Sequence, residues 1–125
     1  MVMAKKDIGI DWIGEIPKNW SYCRFKDVVN LYTGNSIKDE DKDNYSDNIG
    51  ARPYISSKDI NVLFNDINYD TGLFIKNDDL NFRIAPKFSI LMCVEGGSAG
   101  RKKAITFQDV SFVNNYVVLF QKIMI

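Results

Sequence analysis

Not one histidine occurs among the 125 residues, and the two cysteines, Cys23 and Cys93, share no CxxC pair. A serine or cysteine nucleophile here therefore lacks its usual base, and the ligand spacing of a zinc site is absent. The carboxylates show no spacing that singles out an acid–base pair, so catalysis is not expected. Cys93 lies within Ile90-Leu91-Met92-Cys93-Val94 and reads as a small buried apolar residue. Long hydrophobic runs are also missing: the longest, 88–94 including Ser89, falls far short of the roughly 20 residues that cross a bilayer. Lys5 and Lys6 are followed by Asp7 and Asp11 without the continuous apolar stretch of a secretory signal. The expectation is a cytoplasmic protein that does not engage a membrane. Net charge is lacking too, with 16 basic residues against 16 acidic. The balance is uneven along the chain, and the segment 101–125 has basic residues at Arg101, Lys102, Lys103 and Lys122 against Asp109 alone. A local basic patch is compatible with this pattern.

What is present suits one domain. A chain of 125 residues with 46% apolar content can bury roughly 65% of its unfolded surface. The opening stretch 1–20 holds Trp12, Gly14, Pro17 and Trp20 at short intervals and reads as a cap whose rings cover one edge of the core. Between 21 and 32 the apolar spacing predicts a short strand leading into one or two helical turns, ended by Thr33-Gly34-Asn35. The segment 35–50 alternates charge without an apolar face and reads as a mobile polar loop. Beyond Ala51, short apolar runs at 53–56, 62–64, 72–75, 88–94, 104–107 and 110–121 are divided by turn residues. The fold class expected is α+β, a compact, mainly antiparallel twisted sheet with few short helices and long polar loops. Near-continuous hydrophobicity at 88–94 predicts a strand covered on both faces, and Asn114-Asn115 predicts a bulge or tight turn.

The run Glu95-Gly96-Gly97-Ser98-Ala99-Gly100-Arg101-Lys102-Lys103 follows that strand. Its glycines free the backbone and its cations follow directly, so main-chain amides and positive charge can face an anion. The dinucleotide pattern fails on it, because position 95 is Glu and no helix follows. The P-loop pattern fails because Gly96 has no glycine-lysine pair five residues on. Asn114-Asn115-Tyr116 is only faintly similar to the Asn-Pro-Pro-Tyr signature of adenine methyltransferases, since both prolines are missing. Two readings stay open from composition: a solvent-exposed hairpin turn, or a nucleic-acid contact.

Four motifs occur in order: Trp12-Ile13-Gly14-Glu15-Ile16-Pro17 with Trp20; Pro53-Tyr54-Ile55 with Asp59-Ile60; Ile84-Ala85-Pro86 leading into 90–102; and Phe112-Val113-Asn114. Together, over about 7–121, they resemble the target-recognition domain of type I restriction-modification specificity subunits. The resemblance implies a non-catalytic, sequence-specific reader of double-stranded DNA that needs no cofactor. It also implies partners, a methyltransferase (modification) subunit and a restriction subunit, which carry S-adenosylmethionine and ATP. A full specificity subunit has two such domains joined by long helical spacers, whereas this chain shows no stretch of spacer length. It resembles a single recognition domain, or a truncated one, spanning 1–125.

Within that reading the candidate DNA-binding residues are Gly97, Ser98, Arg101, Lys102 and Lys103 in the loop, with Arg52, Tyr54, Lys58 and Asn115 from neighbouring loops. Arg101 is the candidate for a base edge or close phosphate, and Lys102 and Lys103 for backbone positioning. Three loop cations that each neutralise a phosphate give log K a slope of about −2.7 against log salt. The alternative is a truncated interaction module that pairs with itself or another restriction subunit without reading DNA. Its basis is an edge strand left exposed at 117–120, with Ile123-Met124-Ile125 beyond it.

Overall fold

The structure, a computed structural model, describes residues 4–121. In chain order its elements are β1 (Lys5–Asp7), β2 (Glu15–Pro17), a single helical turn α1 (Phe25–Val28), β3 (Val29–Thr33), β4 (Ala51–Ile55), β5 (Phe74–Lys76), β6 (Ile90–Cys93), β7 (Lys103–Ile105), β8 (Ser111–Phe112) and β9 (Tyr116–Gln121). Two 3₁₀ turns, Asp39–Tyr45 and Ser57–Asp59, complete it. The architecture is the expected α+β arrangement of mostly antiparallel sheets.

The largest sheet forms where β-branched and aromatic residues run together, as a pleated, half-buried surface favours. It has the order β3-β9-β6-β7 and is antiparallel throughout. A second sheet has the order β5-β4-β8, and there β4 pairs with β8 in parallel through Tyr54↔Ser111 and Ile55↔Phe112. Proline is unusual in a central strand because it gives no N–H to the ladder. Pro53 sits where β4 changes partner, at the last register position with β5 and just before the first with β8. Ile55 and Phe112 from this sheet meet Leu91, Cys93, Ala104, Tyr116 and Val118 from the larger one, and these residues form the core. β1 and β2 make a separate two-stranded ribbon.

Several local expectations are corrected. The helical turn comes first and the strand β3 follows it, the reverse of the order read from 21–32. Trp12 and Trp20 are 86% and 60% exposed, so their rings do not cover the core edge. The run 62–64 is no strand: Asn61 Oδ1 accepts from the amides of Leu63 and Phe64, and Asn65, at φ 53°, donates back to the Asn61 carbonyl. Asparagine turn chemistry there outweighs β-propensity. β6 is buried on one face, with Leu91 and Cys93 inward and Ile90 39% exposed. β9 lies between β3 and β6, so 117–120 is no edge, and 123–125 falls outside the described residues. The segment 35–50 is polar and has no buried residue, as expected of a loop, but carries the 3₁₀ turn Asp39–Tyr45. Tyr54 Oη donates to the Asn35 carbonyl at 2.6 Å, Tyr45 stacks edge-on against Phe82, and Lys76 bonds Asp47 and the Ile49 carbonyl.

Burial pushes the phenols of Tyr54 and Tyr116 up to about 12. Both rings are buried, at 3% and 0% exposure. In the unfolded chain tyrosine ionises near pH 10. The stabilisation from keeping these phenols neutral is therefore complete below about pH 10 and is lost as pH rises towards 12. Urea unfolding is expected to show a free energy that falls over this window by about 2–3 kcal/mol per tyrosine. Tyr54→Phe should remove roughly half of the fall, and an equal fall in that variant would contradict the assignment.

Candidate nucleic-acid interface

The glycine-cation segment is the loop of the β6–β7 hairpin, whose register Leu91↔Ala104 and Met92↔Lys103 leaves 94–102 to make the turn. Gly96 and Gly100 have φ of 80° and 74°, where side chains with a Cβ are strained. The turn is closed by its own amides. Gly100 N–H donates to the Cys93 carbonyl at 2.7 Å, Ala99 N–H to Gly96, and the N–H groups of Arg101 and Lys102 to Ser98. The amides of Ala99, Gly100, Arg101 and Lys102 are thus taken up within the hairpin and do not face an anion.

Three loops converge on Ser57, which follows β4. The Ser57 carbonyl accepts from Lys102 Nζ at 2.5 Å and from Tyr116 Oη at 3.2 Å. Ser57 Oγ accepts from Asn115 Nδ2 at 2.9 Å, and Val94 N–H donates to the Asn115 carbonyl. The Ser57 turn is itself built by a capping box, in which Asp59 Oδ2 accepts from both the amide and hydroxyl of Ser56. Asn114-Asn115 forms the expected tight turn, with Tyr116 N–H bonded to the Val113 carbonyl. Asn115 Oδ1 is buried and has no partner among the described residues.

These bonds bring Lys102 and Asn115 to the Ser57 turn, whose next residue is Lys58, and the β6–β7 loop that holds Lys102 also carries Gly97, Ser98 and Arg101. Arg101 and Lys58 are exposed, and among the described residues neither side chain is in an ion pair or hydrogen bond. Lys102 is half-buried, while Lys103 is exposed at the start of β7. Lys103 also borders a groove of about 500 Å³ lined by Phe64, Ile67, Tyr69, Ile105 and Phe107.

Arg52 and Tyr54 are not brought to this surface. Arg52 is buried, and its guanidinium bonds Ser111 Oγ at 2.7 Å, the Phe82 carbonyl at 3.2 Å and the Lys76 carbonyl at 3.5 Å. Burial pulls the guanidinium pKa down, with Asp79 and Asp109 opposing. Tyr54 is buried against Phe82 and bonded to Asn35. Ser57 was not anticipated, although the spacing Ser56-Ser57-Lys58-Asp59 is a capping-box signal legible in the sequence.

No protein-family model matches the chain, and no curated protein matches it. Among solved structures it is similar to the HsdS subunit from Thermoanaerobacter tengcongensis, with a TM-score of 0.61 at 14% identity. The match covers 94% of this chain but 26% of that subunit, so the chain spans about a quarter of the protein it resembles. At that identity the likeness is one of fold, and the fold of this chain is that of a segment of HsdS.

Proposed function

We propose that the chain is a non-catalytic, sequence-specific double-stranded DNA recognition module of a type I restriction-modification system. In such a system it directs partner methyltransferase and restriction subunits. The observation that carries the reading is the fold likeness to an HsdS subunit over 94% of the chain. It coincides with the four ordered motifs, and the loops that converge on Ser57 place Arg101 and Lys58 in the open. The reading surface is the β6–β7 loop with the turns at Ser57–Asp59 and 113–115, and Arg101 is its leading contact.

A duplex-library binding assay at two salt concentrations tests this, and no affinity even at low salt would sink it. If Arg101 holds a phosphate, Arg101→Ala should lower the salt slope by about 0.9. If it reads a guanine edge, the variant should lose about 1–3 kcal/mol of discrimination at one position. A variant unchanged in both respects would remove Arg101 from the surface.

A further inference from the structure

We propose that Lys102 is the positioning residue of the reading surface: its ammonium clamps the β6–β7 loop onto the Ser57 peptide and holds no phosphate. This rests on the DNA-reading proposal for its consequence, but the clamp itself stands on geometry. Of three consecutive cations, Arg101 and Lys103 are exposed and Lys102 is half-buried. Its Nζ donates at 2.5 Å to a carbonyl that also accepts from Tyr116, so both lone pairs of that oxygen are occupied. A charged donor makes the stronger kind of hydrogen bond, especially away from bulk water.

The consequence follows from how the loop is otherwise attached. The Gly96 and Gly100 Cα positions, with Gly97 between them, have open space around them, with nothing within 4 Å of an added Cβ. The amides of Ala99 to Lys102 bond to carbonyls within the hairpin, so they shape the turn without fixing where it points relative to β4. Lys102 reaches across to the turn after β4, as Val94 N–H reaches to Asn115 before β9. Releasing the lysine frees the tip, which carries Arg101, to sample other orientations. Base readout depends on such orientation far more than phosphate attraction does.

Three variants test the clamp. Lys102→Met keeps the stem length and removes the charge. It should speed amide exchange at Gly100, Arg101 and Lys102 by roughly tenfold, the loss expected of one charge-assisted hydrogen bond. Exchange in β9 should not change. The ratio of specific to non-specific duplex affinity should fall by about tenfold with the salt slope unaltered, and Lys102→Arg should restore both the exchange and the ratio. Lys102→Gln keeps a neutral polar head on a stem too short to reach the Ser57 carbonyl as the ammonium does, and should speed exchange at the same three amides. It decides the matter if Lys102→Met does not fold.

Unchanged exchange in the loop overturns the clamp. So does a salt slope reduced by about 0.9 with the affinity ratio preserved, which is the signature of a phosphate contact. If the unmodified chain binds no duplex, the DNA reading fails, and the exchange measurement still decides the clamp.

Discussion

Gly34→Ala is expected to lower the unfolding free energy by about 3 kcal/mol and the melting temperature by roughly 10–15 °C. A Cβ at this position would lie 2.1 Å from the Phe112 carbonyl oxygen, 2.6 Å from Phe112 Cδ2 and 2.7 Å from the Phe112 carbonyl carbon. Two of the three atoms are backbone, and Phe112 is fully buried in the core, so no flexible side-chain end can move aside. The chain after β3 would have to withdraw from β8. That withdrawal stretches the 2.9 Å bond from Asn35 N–H to the Phe112 carbonyl. It also disturbs two contacts that depend on Asn35: its carbonyl accepts from Tyr54 Oη, and its Oδ1 accepts from Arg83 N–H. Gly97→Ala is the matched control, because nothing lies within 4 Å of its added Cβ. Thermal unfolding measures both, and equal melting temperatures for the two variants would refute the steric account.

Arg52→Met is expected to cost about 3 kcal/mol in stability, mostly through what it leaves behind. The methionine can fill part of the space, but Ser111 Oγ and the Phe82 carbonyl lose the donor that Arg52 supplies, while the Lys76 carbonyl keeps the Asp79 N–H. A buried polar group stripped of its partner pays its full desolvation cost. Ser111 also donates to the Arg83 carbonyl, so the change spreads from β4 through β8 to the segment before β6. Urea unfolding should show a lower midpoint with an unchanged slope. Arg101→Ala, an exposed site, should stay within about 0.5 kcal/mol of the parent. A similarly small effect at Arg52 would mean that its bonds contribute little net stability.

Arg52 also marks the limit of what the residues alone reveal. Read as a residue of a loop neighbouring the glycine-cation segment, it was a candidate DNA contact, and only the pairing of β4 with β8, fifty-odd residues further on, encloses it. Local chemistry was legible wherever it is decided locally. The apolar runs around β4, β6, β7 and β9 stood out between turn residues, Cys93 was correctly placed inside, and Asn114-Asn115 announced its turn. Where two local signals competed, the reading failed: at 62–64 the apolar side chains suggested a strand, and Asn61 bonded the backbone into a turn instead. The two tryptophans misled because large rings are usually buried, and these are not. For the candidate site, the loop and its cations were visible as a unit. The division of labour among them was not, because Lys102 and Arg101 are adjacent and differ in what lies across from them. With Lys102 held by Ser57, the salt slope expected of the loop falls from about −2.7 to about −1.8.

The pairing of β3 with β9, from Val29↔Gln121 to Thr33↔Val117, has a consequence for how the chain comes off the ribosome. β3 is made early and β9, its sheet neighbour among the described residues, is made after the other described strands, so β3 must wait, unpartnered, while the residues between them are synthesised. At about 5–20 residues per second that interval lasts on the order of 5–20 s. The larger sheet cannot assemble in the order of synthesis, since its second strand in space is its last in sequence. Sequence-distant contacts of this kind slow folding and prolong the exposure of sticky segments. The polar residues Asn30 and Thr33, both exposed on β3, are well suited to keep a waiting strand from finding the wrong partner.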